Sequence, residues 1–303
     1  MKNTLYISYD GLSDPLGQSQ IIPYLKFISN LDHKLHLLTF EKIDRLDNYN
    51  TNISHFISSK KINWLKLFFS KKNNRISRFI DWLKLFFFSL YLINKYKINI
   101  VHIRGFVPAV PILFISYLIN FKIVYDSRGL WVDERIDNKS LNLEKFFDKK
   151  IFLILKNIEK KIFLKSDVIV VLTRKAKKIV KQIDKSLNPV IIPCCADFNH
   201  FTNTNDQEQL TKFKKFNNIP INKKILLYSG SLRGVYLFDE MIEFFKKIHQ
   251  KNNEYIFLIL SNDYEYSKKI IKSQKIENII LLKANREEMP MFYNISDFLL
   301  CFI

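Results

Sequence analysis

Residues 98–129 read INIVHIRGFVPAVPILFISYLINFKIVYDSRG. An apolar run at 98–103 stops at Gly105, an uncharged stretch follows to Phe121, and a second apolar run at 122–125 stops at Gly129. The uncharged stretch holds Pro108, Pro111 and Asn120 and is shorter than the roughly 20 apolar residues a membrane-spanning helix needs, so it reads as a buried helix. Strand, helix, strand in this compass is a βαβ unit, which implies a parallel sheet.

The same alternation runs outward along the whole chain. Strands are expected at 4–8, 35–39, 98–103, 122–125, 168–172, 190–193, 225–228, 255–260, 279–282 and 298–303. Helices are expected at 20–30, 76–96, 143–165, 175–185, 237–250 and 266–273. The strands are continuously apolar, as required when helices cover both faces of a sheet. The polar, Asn- and Lys-rich stretch 197–222, with Pro220, reads as a domain boundary. The expectation is therefore an α/β protein of two units, 1–196 and 197–303. The second reads as incomplete, because its last strand, 298–303, has no helix after it to cover it.

Six glycines occur, and each follows an expected strand: Gly11, Gly17, Gly105, Gly129, Gly230 and Gly234. In doubly wound sheets ligands bind outside the carboxyl ends of the strands, where glycine lets backbone approach a ligand closely. Three of these loops carry candidate chemistry. In YDGLSDPLGQSQ, Gly17 and Gln18 lead into an apolar helix that Ser19 or Asp14 could cap, a start suited to phosphate. In VYDSRGLWVDERID, Arg128 adjoins Gly129, with Asp126, Asp133, Glu134 and Arg135 nearby as acids, bases or arginine partners. In LLYSGSLRGVYLFDEM, a strand, a Gly230-Ser231-Leu232-Arg233-Gly234 loop and a helix form a phosphate-cradling order.

Several chemistries are excluded. No Lys-Ser/Thr follows a glycine as in a P-loop, no Asp-x-Asp or HExxH spacing marks a metal, and no GxSxG elbow marks a serine hydrolase. Cys194, Cys195 and Cys301 form no disulfide or metal framework; the adjacent pair suits a buried strand in a reducing compartment. No signal-peptide pattern opens the chain.

The net charge is +19, from 48 Lys and Arg against 29 Asp and Glu. Such a balance fits nucleic acid, anionic lipid or phosphorylated ligands, and it also fits a Lys-, Asn- and Ile-rich genome with no binding role. Residues 60–96 interleave Trp64, Phe68, Phe69, Trp82 and 86–88 with Lys60, Lys61, Lys66, Lys71, Lys72, Arg75, Arg78 and Lys84. That segment reads either as a core helix or as a membrane-interface helix, with base stacking ranked last.

Taken together, YISYDGLSDPLGQSQIIPYL, VYDSRGLWVDERID, SDVIVVLT, VIIPCCADFNHF, LLYSGSLRGVYLFDEM and REEMPMFYNISDFLLCFI resemble, in order along the chain, a bacterial polysaccharide-type subgroup of glycosyltransferase family 4. The resemblance implies the GT-B fold of two Rossmann-like domains, the second incomplete here. It implies a retaining, metal-independent enzyme without a cofactor, moving a sugar from a nucleotide sugar to a lipid-linked or polysaccharide acceptor. The alternative is a non-catalytic remnant or a membrane-surface binding protein. By position, Gly17 and Gln18 fall near the donor phosphates, and Arg128, with Asp126, at the reacting centre. Ser231 stands where the family often has a phosphate-binding Arg, with Arg233 two residues on, and Asn285 and Arg286 fall near the base-binding loop. The family's paired glutamates would follow the strand that closes this chain. The implied location is cytoplasmic, peripheral on the inner face of the plasma membrane, with an anionic membrane surface and not nucleic acid as partner.

Overall fold

The computed structural model describes residues 2–31, 33–70, 75–233, 236–273 and 278–302. The chain divides into two compact units, Met1–Ala196 and Asp197–Ile303. In the first, β1 (Lys2–Ser8) leads through a π-helical turn (Gly17–Ile21) into α1 (Ile22–Ile28), followed by β2 (His33–Glu41), α2 (Ile43–Ser59) and β3 (Asn63–Phe68). Then come α3 (Arg75–Lys95), β4 (Ile100–Arg104), α4 (Phe106–Ile115), β5 (Lys122–Ser127), α5 (Trp131–Asp137) and α6 (Phe146–Lys165). The unit closes with β6 (Val168–Val171), α7 (Arg174–Ile183) and β7 (Val190–Ile191). The second unit comprises α8 (Gln207–Phe216), β8 (Lys224–Ser229), α9 (Phe238–Lys251), β9 (Tyr255–Leu260) and α10 (Tyr264–Ser273). β10 (Ile279–Leu282), α11 (Met289–Asn294) and β11 (Phe298–Leu299) complete it.

Both sheets are parallel. The first runs β3-β2-β1-β4-β5-β6-β7 and the second β10-β9-β8-β11. In each, the strand order reverses beside the unit's first strand, so β1/β4 and β8/β11 are the switch points where crevices open. Helices α3, α4 and α6 bury Leu85, Leu92, Ile112, Ile162 and Phe163 on one face of the first sheet. The π-turn, α1 and α2 bury Ile21, Leu25, Ile53 and Ile57 on the other.

One helix-to-strand device occurs in both units. Asp167, just before β6, accepts from Ile123 N on β5 (2.8 Å), and its own N–H returns to Ile123 O. Asp297, just before β11, does the same with Ile225 on β8 (2.7 Å). The preceding Ser166 and Ser296 donate back to carbonyls four residues earlier, at 2.7 and 2.6 Å. Each Ser-Asp pair thus ends a helix and sets the register of the strand beside it.

The structure corrects four expectations. Residues 63–68 form a strand, not part of a basic helix. The stretch 197–222 begins the second unit rather than lying between two units: it holds α8, whose Leu210 and Phe213 pack into the second core, Phe213 lying 4.9 Å from Phe292. Cys194 and Cys195 are exposed beyond β7, which covers only two residues. Neither Ser19 nor Asp14 caps the first helix through its side chain. Ser19 donates back to Pro15 O, and Asp14 accepts from Gly11 N, Lys42 and Arg45. The expected Gly234, Lys71 and Lys72 lie outside the described residues.

At the end of β2, Glu41 is fully buried and its carboxylate accepts from Leu12 N (2.8 Å), Ser13 N (3.2 Å), Ser13 Oγ (2.7 Å) and Thr39 Oγ1 (2.6 Å). Replacing it by Gln turns an amide NH₂ toward backbone donors that need an acceptor, so E41Q should lose about 2–3 kcal/mol of stability in urea unfolding. His102 on β4 is half-buried beside Tyr6 with its Nε2 enclosed, and desolvation, reinforced by Arg104, pushes its pKa down to about 4. The unfolded chain therefore binds the extra proton first, and stability falls as pH drops from 6.5 toward 4. The unfolding free energy from urea titrations should decline over that window by about 2–3 kcal/mol, and H102F should reduce the slope.

Candidate functional site

The π-turn places the first site. Gly17 sits where a Cβ would strike the Gly11 carbonyl oxygen and come within 2.7 Å of Leu12 Cα, so only glycine lets the turn fold onto the β1 loop. Gln18 spends its amide on Leu12 O at 3.0 Å, bracing that loop. Gln20, two residues on, reaches the strand ends instead. Its Oε1 accepts from Arg104 Nη2 at 2.6 Å and from Arg128 Nη2 at 2.7 Å. One amide oxygen therefore bridges two guanidinium groups at the β4 and β5 ends, beside the switch point.

Two carboxylates balance these cations. Asp126 lies 3.6 Å from Arg104 Nη1 and 3.5 Å from Arg128 Nη1, and Asp10 lies 3.8 Å from Arg104 Nε. Burial raises the Asp126 pKa, with Arg128 and then Arg104 pulling it back; burial raises Asp10 likewise, opposed first by Arg104. The two arginines differ in reach. The Arg104 side chain is 3% exposed, with Nε and Nη1 lacking a hydrogen-bond partner, whereas Arg128 is 15% exposed and also donates to Cys194 Sγ at 3.0 Å. Arg104 forms the base of the cluster and Arg128 its accessible tip. Gly105 follows Arg104 with φ +84°, a left-handed turn that any side chain would strain.

The neighbouring acids serve other ends. Asp133 pairs with Lys156 at 2.9 Å, and Arg135 stacks on Trp131 at 4.0 Å. Glu134 fills the space beside Gly129. Asp126, Arg128 and Gln20 are thus brought together, and Asp133, Glu134 and Arg135 are not part of that cluster.

In the second unit the organiser is Asp263, after β9. It accepts from Leu232 N and Ser231 Oγ, both at 2.9 Å, and faces Arg233 Nε at 3.6 Å. The Leu232 amide, more than Ser231 and Arg233, holds its carboxyl below the usual range against the opposing cost of burial. Arg233 stacks on Tyr266 at 4.7 Å, at the side of a pocket of about 470 Å³ that also meets Tyr236, Asp239 and Glu240. Gly230 and exposed Ser231 lie at the β8 end; Tyr228 donates to Ser231 O, and Ser229 Oγ meets Tyr293 OH at 2.8 Å. Asn285 and Arg286 follow β10. Asn285 N donates to Glu288 Oε2 at 2.8 Å, and Arg286 O contacts His200 Nε2 at 2.9 Å. Their backbone is fixed, and Asn285 is exposed.

Sequence reading missed Gln20, Arg104, Asp10, Glu41 and Asp263. One signal could have found Arg104: the chain writes Arg-Gly three times, at 104–105, 128–129 and 233–234, each at the end of a strand or in the loop after it. Among the described residues no group of three or more His, Cys, Asp or Glu is placed to hold a metal, and no helix is long and apolar enough to cross a membrane.

No family model matches the chain, and no curated protein resembles it in sequence. Solved structures do resemble it in fold. Sucrose-phosphate synthase from Thermosynechococcus elongatus superposes with a TM-score of 0.69 at 12% identity, over 99% of this chain and 75% of that one. A glycosyltransferase from Rickettsia africae ESF-5 gives 0.64 at 16% identity, over 98% and 72%. Anabaena Alr3699/HepE, in complex with UDP and glucose, gives 0.66 at 10% identity, over 99% and 73%. Two parallel α/β sheets in this order and with these neighbours give the chain the GT-B fold.

Proposed function

We propose that the protein is a retaining family 4 glycosyltransferase of the bacterial polysaccharide-type subgroup. It transfers a sugar from a nucleotide sugar to a lipid-linked or polysaccharide acceptor, without a metal ion, at the cytoplasmic face of the plasma membrane. The observation that carries this reading is the pair of arginine-bearing strand ends, one in each unit: Arg104 and Arg128 bridged by Gln20, and Arg233 held by Asp263 and Tyr266. Neighbouring structures of the same fold, one of them solved with UDP and glucose, support the donor class.

In this reading unit 1–196 serves the acceptor and unit 197–303 the donor nucleotide. Gly230, Ser231 and Arg233 receive the diphosphate, and Asn285 and Arg286 the base. Gly17 and Gln18 shape the loop on the phosphate side. Arg128 supplies positive charge at the reacting centre, and Asp126 fixes its orientation. The sugar C1–O bond to the diphosphate breaks while a C1–O bond to the acceptor forms on the same face. The acceptor's proton passes to the departing phosphate oxygen. A preorganised guanidinium stabilises the charge that builds on that leaving group and needs no reorganisation to do so.

Incubation with a panel of nucleotide sugars and lipid-linked or polysaccharide acceptors should release nucleoside diphosphate, undiminished by EDTA, with the donor's anomeric configuration kept in the product by NMR. Strict dependence on a divalent ion, or no turnover with any donor, would sink the proposal. R128A should lower kcat about 100- to 1,000-fold with little change in donor affinity, as expected for a group acting on the transition state. R128K should not restore the rate, because Lys cannot hold Gln20 and Asp126 through a planar fork. R233A should instead weaken nucleoside diphosphate binding about tenfold by calorimetry, the loss of one charge-assisted contact.

A further inference from the structure

We propose that the outer faces of α3, α4 and α6 form one docking surface for an anionic lipid bilayer. The three helices adjoin: α4 packs against both α3 and α6, Trp82 meets Phe114 edge-on at 6.4 Å, and Lys165 lies over Tyr117 at 5.5 Å. Their inner sides fill the core, so helical periodicity leaves a second apolar side facing outward. On α3, Ile76, Ile80, Phe87 and Tyr91 recur at spacings of one or two turns and are all exposed, Ile76 by 70%. At the end of α4, Phe114, Tyr117 and Leu118 are exposed, Leu118 by 73%. On α6, Phe146, Phe147, Leu153 and Leu164 are exposed, Phe147 by 77%.

Exposed apolar side chains gathered on adjoining helices in this way mark an interaction surface. Its charge identifies what covers it. Lys150, Lys160 and Lys161 sit on the same outward face of α6 as Phe146, Leu153 and Leu164, and all three lysines are exposed. The acids of these helices do not oppose them: Asp81 and Glu159 are buried and paired with Lys84 and Lys156, and Asp148 accepts from Asn142 N. Aromatic and aliphatic side chains interleaved with lysine suit a lipid interface, the rings entering the headgroup layer and the ammonium groups meeting phosphate. A second copy of this chain would bring lysine against lysine. Because α3 and α6 both begin at the sheet edge that carries Arg104 and Arg128, the surface extends from the rim of that site. The inference deepens the membrane-associated part of the proposed function, and its test needs no glycosyl transfer.

The chain is mixed with phosphatidylcholine vesicles, with or without phosphatidylglycerol, and bound protein is measured by flotation. Binding is expected to the anionic vesicles, to fall with added salt, and to be weak on neutral ones. K150Q, K160Q and K161Q should each weaken it about fivefold. F146S/F147S on α6 and, separately, F87S on α3 should weaken it by at least about tenfold and about threefold while leaving urea unfolding unchanged, since these side chains are exposed. The proposal is overturned by absent binding to anionic vesicles, by equal binding to neutral ones, or by binding that none of these substitutions alters. A concentration-dependent dimer in analytical ultracentrifugation that F146S/F147S abolishes would also overturn it, by giving the face to a second copy. Any of these outcomes can coincide with intact nucleoside diphosphate release, so this surface and the transferase reading stand or fall separately.

Discussion

The first unit depends on one buried carboxylate. Glu41 takes its four hydrogen bonds from amides and hydroxyls, so its charge is dispersed over dipoles. This turns the β1 loop back on the sheet and leaves no room for a side chain at Gly11, where a Cβ would lie 2.5 Å from Glu41 Oε2. The loop in turn receives the Gln18 amide, and the π-turn built on it aims Gln20 at the strand ends. An extra residue within a helical turn rotates the side chains after it, and such turns recur at functional sites. The arginine pair is therefore positioned by a residue that meets neither arginine.

That dependence explains what could be read from the chain and what could not. The alternation of apolar runs and glycines is local, and ten of the eleven strands lie where the sequence places them. The strand missed, β3, shows the limit. WLKLFF occurs twice, at 64–69 and 82–87. The first copy is mostly strand, pairing with β2 from Asn63 to Phe68; the second lies wholly within α3. Six identical residues adopt two structures because the first meets an open sheet edge. There Leu65 and Leu67 face one core and Trp64 the other, with Trp64 Nε1 donating to Thr39 Oγ1 at 2.9 Å. In the second, buried Asp81 accepts from Ser70 and Lys84, and the helix continues through Leu85, Leu92 and Ile93. Propensity cannot separate the copies; tertiary context does. Arg128 was legible from its glycine and its strand. Gln20 was not, because its role exists only once the loop has closed.

The units reach similar ends by different means. Both use a Ser-Asp pair to tie a helix end to the next strand, and both hang a cation from the carboxyl edge of a sheet. In the first, Arg128 is 15% exposed and is held by the Asp126 carboxylate, the bridging Gln20 amide and Cys194 Sγ, which restricts it to small adjustments. In the second, Arg233 is 64% exposed and is held by an ion pair at 3.6 Å and a ring face, so solvent screens it and a ligand can draw it away at little cost. A rigid cation suits a position where charge develops during a reaction, and a yielding one suits a ligand that must arrive and leave.

The distribution of arginine supports that division. Only nine of the 48 basic residues are Arg: 45, 75, 78, 104, 128, 135, 174, 233 and 286. Arg104 ends β4, and each of the others lies in the loop or helix that directly follows a strand, hence on the carboxyl side of a sheet. Lysine is spread through helices and loops alike. In a chain where lysine serves nearly everywhere as the basic residue, arginine is confined to the carboxyl side of the sheets. The planar guanidinium offers its donors in a fixed fork with a flat face, as Arg128 uses with Gln20 and Asp126 and Arg233 with Asp263 and Tyr266. The overall charge of +19 thus contains two populations. Diffuse lysine carries most of that charge over helices and loops, and a small set of arginines stands at the strand ends, where Arg128 and Arg233 meet their partners in defined geometry.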